Sequence, residues 1–168
     1  LVLKPDQFIP IYERNGRIRE LDFYVFDQVA AYLAKNQRMG RRLVPISVNA
    51  SMLHAREEQG AEQYLRILEH WGVDPGLTEI ELTETAAAAD YRSARRFFAD
   101  LRAGGVRTTL DDFGAGYSIL NTVMDIPADT VKLDREFVRV CRKSQRGMCF
   151  FERLIGLMSD LDYRIVCE

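Results

Sequence analysis

Apolar positions recur at helical spacing through Leu21, Val25, Phe26, Val29 and Leu33, which predicts an amphipathic helix over roughly 21–37. Gly40 ends it, and the short run Ile46-Ser47-Val48 after Pro45 predicts a strand. Tyr64, Leu65, Leu68 and Trp71 mark a second helix, followed by a turn at Gly72-Val73-Asp74-Pro75-Gly76 and a strand over Thr78–Leu82. Ala94, Phe97, Phe98 and Leu101 give a third helix, which Gly104-Gly105 terminates. Strands then follow at Val106–Leu110 and Thr130–Leu133. A last helix spans about 147–160, with Leu154, Leu157, Met158 and Leu161 on its apolar side, and Tyr163–Cys167 is the final strand.

Strand and helix alternate throughout, the pattern of βα units on a parallel sheet. A (β/α)₈ barrel and an open doubly wound sheet both fit. No GxGxxG follows any strand, which removes the main signature of a dinucleotide-binding sheet. At 168 residues and 47% hydrophobic, the chain is long enough for one domain with its own core. The formal net charge of −2 argues against non-specific binding to a nucleic-acid polymer. No apolar run reaches the length of a membrane span, and no signal peptide is evident. Cys141, Cys149 and Cys167 are odd in number and lack CxxC spacing, so they read as free thiols of a cytoplasmic protein. His54 and His70 share no zinc-ligand spacing.

The residues that end the strands change the picture. Asn49 follows Ile46–Val48, Glu81 lies at the end of Thr78–Leu82, and Asp111-Asp112 follow Val106–Leu110. Lys132 lies in Thr130–Leu133, and Glu168 follows Tyr163–Cys167. All strand C-termini of a parallel barrel share one rim, where barrel active sites sit. That rim would collect one amide, four carboxylates and one ammonium. Oxygen donors of this kind suit Mg²⁺ or Mn²⁺, and a dication between Asp111 and Asp112 turns their mutual repulsion into a binding site. Taken singly, each residue has a plainer reading: a strand-end Asn or Glu caps a helix, Glu84 caps the helix after its strand, and Lys132 is a surface lysine. Asp112-Phe113-Gly114 also matches the kinase triplet, but no HRD loop and no VAIK lysine accompany it.

In order along the chain, Pro5-x-x-Phe8-Ile9-Pro10 with Glu13 and Gly16 resembles PxxFIPxAExxG, and Ser47-Val48-Asn49-Ala50-Ser51 resembles SVNLS. Glu81-Leu82-Thr83-Glu84 resembles EITE, Asp111 through Ser118 resembles DDFGTGYS, Lys132-Leu133-Asp134 resembles KID, and Val166-Cys167-Glu168 resembles the start of VAEGVE. These motifs resemble the EAL domains, phosphodiesterases that hydrolyse the bacterial messenger cyclic di-GMP to linear pGpG. The resemblance implies a (β/α)₈ TIM-barrel-like fold, of which this chain supplies about five of the eight strands.

It also implies roles. Asn49, Glu81, Asp111 and Asp112 become ligands of two Mg²⁺ or Mn²⁺ ions, and Lys132 and Glu168 orient and deprotonate the attacking water. Glu84 holds the loop over 113–118, while Phe8, Ile9, Pro10 and Asp134 line the substrate. Cyclic di-GMP is the expected partner, with a homodimer through 113–125 and fusion to sensor or GGDEF-type domains in a longer protein. The Glu-Ala-Leu that names the family precedes the FIP segment, so residues 1–168 are expected to form a partial domain, without the first strand and the last strand and helix. An alternative is a non-catalytic module that senses cyclic di-GMP or docks a partner. The expected location is the cytoplasm, alone or as the cytoplasmic part of a membrane-attached protein.

Overall fold

Every strand that the apolar pattern marks is formed, and the five lie parallel in chain order. The computed structural model describes residues 3–115 and 124–167. The strands are β1 (Ile46–Asn49), β2 (Thr78–Thr83), β3 (Arg107–Phe113), β4 (Thr130–Leu133) and β5 (Arg164–Cys167). The helices are α1 (Pro5–Arg14), α2 (Ile18–Arg38), α3 (Met52–Ala55), α4 (Gly60–Trp71), α5 (Glu84–Ala89), α6 (Tyr91–Ala103), α7 (Arg135–Cys141) and α8 (Gln145–Asp160). Among the described residues, β1 and β5 each pair on one side only.

The short helices α3, α5 and α7 have too few residues to show apolar periodicity, and side-chain caps set where they begin. Ser51 accepts the Leu53 amide, Thr83 the Ala86 amide and Asp134 the Phe137 amide, each satisfying a donor that the first helical turn leaves free. Ser144 does the same for Gly147, so α8 starts at Gln145, slightly earlier than its apolar stripe indicates.

Side chains alternate across the sheet. One face carries Val48, Ile80, Leu82, Leu110, Phe113, Val131 and Leu133, all buried, packed in one core with Phe26, Leu33, Tyr64, Leu68, Phe97, Phe98, Leu101, Leu154 and Met158 of the helices. Burying a side chain of this size stabilises the fold by about 1.5–3 kcal/mol. The register places Ser47 and Asn49, Glu79 and Glu81, Thr109 and Asp111, and Thr130 and Lys132 on the opposite face. That face is polar and charged, and it carries the candidate chemistry.

Candidate active site

Strand register brings Asn49, Glu81, Asp111 and Lys132 to one end of the sheet. Asn49 is the direct neighbour of Glu81 across β1 and β2, and Thr83 at the end of β2 pairs with Asp111. The segment after Asn49 is tied down twice. The Ala50 amide donates to the Glu81 carbonyl at 2.9 Å, and the Ser51 amide donates to Asp22 Oδ2 of α2 at 2.9 Å. The same Asp22 oxygen lies 2.9 Å from the buried His54 ring. Asp22 has no motif around it, and only the fold shows that it anchors this turn.

Asp111 and Asp112 do not follow β3; they lie within it, across an irregularity. Leu110 pairs with Val131 and Phe113 with Leu133, so the two aspartates together oppose the single residue Lys132. An extra residue of this kind is a β-bulge, a device that re-aims side chains next to functional sites. It returns Phe113 to the core face beside Leu110 while giving two consecutive acids to one position of the neighbouring strand. Asp112 has φ +54°, a conformation that costs most non-glycine residues some strain. Asp111 Oδ1 accepts the Asp112 amide at 2.9 Å, which braces the bulge from within.

Lys132 gathers the charges. Its Nζ lies 3.1 Å from Asp111 Oδ1 and 3.3 Å from Glu81 Oε2, reaching from β4 across β3 to β2. The three side chains are only 8% (Glu81), 14% (Asp111) and 19% (Lys132) exposed. Burial pushes the Glu81 carboxyl above the ordinary range; the Lys132 ammonium opposes that shift and Asp111 adds to it. As the side chains stand, with Glu81 and Asp111 turned to Lys132, no three His, Cys, Asp or Glu among the described residues are gathered as metal ligands. Among the described residues, the Glu81 and Asp111 carboxylates converge on the Lys132 ammonium, with Asn49 next to Glu81 in the ladder.

Glu84 is 1% exposed at the start of α5, and its Oε2 accepts the Gly114 amide at 2.8 Å. Its Oε1 has no hydrogen-bond partner among the described residues. Gly114 has φ +99°, and a Cβ there would lie 2.4 Å from Phe137 Cγ, so this position requires glycine. Asp134 caps α7. Phe8, Ile9 and Pro10 lie in α1, which packs against α2 and is not part of the strand ladder that assembles the rim. Glu168 lies outside the described residues, as do 116–123 and with them most of the expected 113–125 interface. No helix among the described residues is long and apolar enough to cross a membrane.

With this geometry in hand, the chain can be set beside known proteins. The EAL domain family matches residues 1–168. A cyclic di-GMP phosphodiesterase of Pseudomonas aeruginosa, NbdA, is 30% identical over 99% of this chain, which spans 21% of that relative. The structure of the PaMucR phosphodiesterase in complex with c-di-GMP superposes with a TM-score of 0.85 at 27% identity, covering 98% of this chain and 67% of that one. A manganese/cy-diGMP complex of Klebsiella pneumoniae BlrP1 superposes with a TM-score of 0.74 at 25% identity, covering 89% of this chain and 38% of that one. The chain spans 20% to 28% of the length of the first curated relatives it matches.

Proposed function

The chain belongs to the EAL domain family, and on that premise we propose that it supplies the catalytic rim of a phosphodiesterase that opens cyclic di-GMP to linear pGpG. The observation that carries the reading is the convergence of Glu81 and Asp111 on Lys132, opposite a bulge that presents two aspartates to one residue. Support comes also from relatives named as cyclic di-GMP phosphodiesterases and from the c-di-GMP complex of a structural neighbour.

The donor set fits a hard divalent cation: an amide oxygen and carboxylates, with no thiolate or imidazole among them. Asn49, Glu81, Asp111 and Asp112 would hold Mg²⁺ or Mn²⁺, as two ions, with Glu168 a further contributor. The ions supply Lewis acidity towards the phosphoryl oxygens and lower the pKa of water. The chain's own residues do the rest. Lys132 offers an ammonium to the charge that develops on phosphorus-bound oxygen as the 3′ oxygen leaves. Glu168 takes the proton of the attacking water, and Lys132 orients that water for in-line approach. Glu84 holds the Gly114 amide, and so the start of the loop that follows β3, against α5. Phe8, Ile9, Pro10 and Asp134 contact the nucleotide, Asp134 with the carboxylate oxygen that its helix cap leaves over. Full-length protein incubated with cyclic di-GMP and Mn²⁺ is expected to release pGpG, and Asp111→Asn to abolish release while leaving the circular dichroism spectrum unchanged. Binding without turnover in the wild type would instead establish a sensor module, and turnover by Asp111→Asn near the wild-type rate would remove this residue from the site.

A further inference from the structure

Beneath the rim lies a second polar layer, one pleat down on the same face: Glu79 of β2, Thr109 of β3, Thr130 of β4 and Arg164 of β5. Barrel interiors are filled in such layers, most often by bulky branched residues. Here the layer is a hydrogen-bonded chain. The Arg164 guanidinium donates to Glu79 Oε2 at 2.9 Å and to Thr130 Oγ1 at 2.8 Å, its Nε donates to the same Thr130 oxygen at 3.1 Å, and the Thr109 hydroxyl donates to Glu79 Oε1. Glu79 is buried, whereas about half of the Arg164 side chain is exposed.

The Arg164–Glu79 pair joins strands that are not neighbours. β2 and β5 are three steps apart in the sheet, which in a flat sheet is about 14 Å. Side chains standing perpendicular to such a sheet would not meet over that span; they meet because the sheet curls. We propose that Arg164 and Glu79 form a positioning strut across the concave face, setting the curl that places the C-terminal end of β5 relative to Glu81. β5 is the strand whose next residue in sequence is Glu168. Val166, two residues along β5 from Arg164, is the register partner of Lys132, and Glu81 is two residues along β2 from Glu79. The strut therefore sits one layer below Glu81, Asp111 and Lys132, the groups that the proposed reaction gathers on the rim. The proposal rests on the phosphodiesterase reading for its kinetic consequence, but its structural consequence is independent of it.

Both arms use the full-length protein. Arg164→Met is expected to lower kcat about tenfold or more, because an ångström-scale misplacement costs that much, while KM for cyclic di-GMP stays within about threefold. Arg164→Lys, which keeps the positive charge but loses the fork to Thr130, is expected to recover at least about a third of wild-type kcat. Hydrogen exchange in Arg164→Met should quicken at the β5 amides 165–167 and stay unchanged in β1 and β2. If Arg164→Met fails to fold, Thr130→Val carries the test, with a smaller loss of kcat and quicker β5 exchange. A wild-type protein that yields no pGpG defeats the phosphodiesterase reading, and the β5 exchange then decides the strut. Unchanged β5 exchange, or activity lost only in proportion to the unfolded fraction, overturns the proposal.

Discussion

Lys132→Met tests the electrostatics of the rim in the absence of metal. The substitution keeps an unbranched apolar stem, one atom shorter, and removes the ammonium that lies 3.1 Å from Asp111 and 3.3 Å from Glu81. At an effective dielectric constant of 20, each contact carries about 5 kcal/mol of gross Coulomb attraction. Desolvation of three mostly buried groups offsets most of it, and breaking a fully buried pair costs about 3–5 kcal/mol net. The 8–19% exposure of these side chains lets water replace part of what is lost. The expected destabilisation is therefore about 2–4 kcal/mol in EDTA at pH 7. Urea unfolding followed by fluorescence of Trp71, the single tryptophan of the sequence, measures it. Mn²⁺ should narrow the gap between variant and wild type, because a cation among the carboxylates replaces the missing ammonium. A Lys132→Met protein as stable as wild type in EDTA would refute the reasoning, since two buried carboxylates would then be tolerating each other without a cation.

The pH dependence has a defined sign at Glu81. Its folded pKa is raised, first by burial, so ionised Glu81 costs stability at neutral pH, and that cost fades as pH falls through the folded pKa. Glu81→Gln should accordingly stabilise the metal-free protein near pH 7 and confer nothing near pH 4, while eliminating Mn²⁺-dependent turnover; a variant less stable at pH 7 would contradict the sign. Gly114→Ala should cost about 1–3 kcal/mol through overpacking against Phe137, to which the strain of φ +99° adds; an unchanged thermal melt would contradict the close approach. Phe98→Ala, at a core position fully buried between sheet and helix, should cost about 3–5 kcal/mol by urea unfolding and mark the core as conventional; a loss under 1 kcal/mol would not fit the packing.

The strands were legible because their apolar positions, continuous or alternating, stop at a change to polar residues, as at Val48-Asn49 and Leu133-Asp134. That Asn49, Glu81, Asp111 and Lys132 fall at one end of the sheet was legible, since strand-end residues of a parallel sheet share one rim. The geometry there was not. The Asp111-Asp112 pair reads as the start of a loop, and only the pairing with β4 shows that β3 continues to Phe113 across a bulge. Neither the reach of Lys132 from β4 across β3 to β2 nor the Arg164–Glu79 pair follows from spacing, because each depends on how strongly the sheet curls. The short helices escaped notice because one or two turns carry no apolar period, and Asp22 looks like any exposed helical acid until α2 is docked on the turn after β1.

Anomalous scattering from Mn²⁺ in crystals of the full-length protein with cyclic di-GMP would locate the cations proposed for Asn49, Glu81, Asp111 and Asp112 on this rim. Mn²⁺ peaks are expected, ringed by oxygens of these four side chains at separations of about 2.0–2.6 Å, with the Lys132 ammonium drawn off Glu81 towards the phosphate. Mn²⁺ bound elsewhere, with Lys132 still bridging Glu81 and Asp111 beside bound nucleotide, would contradict the proposal.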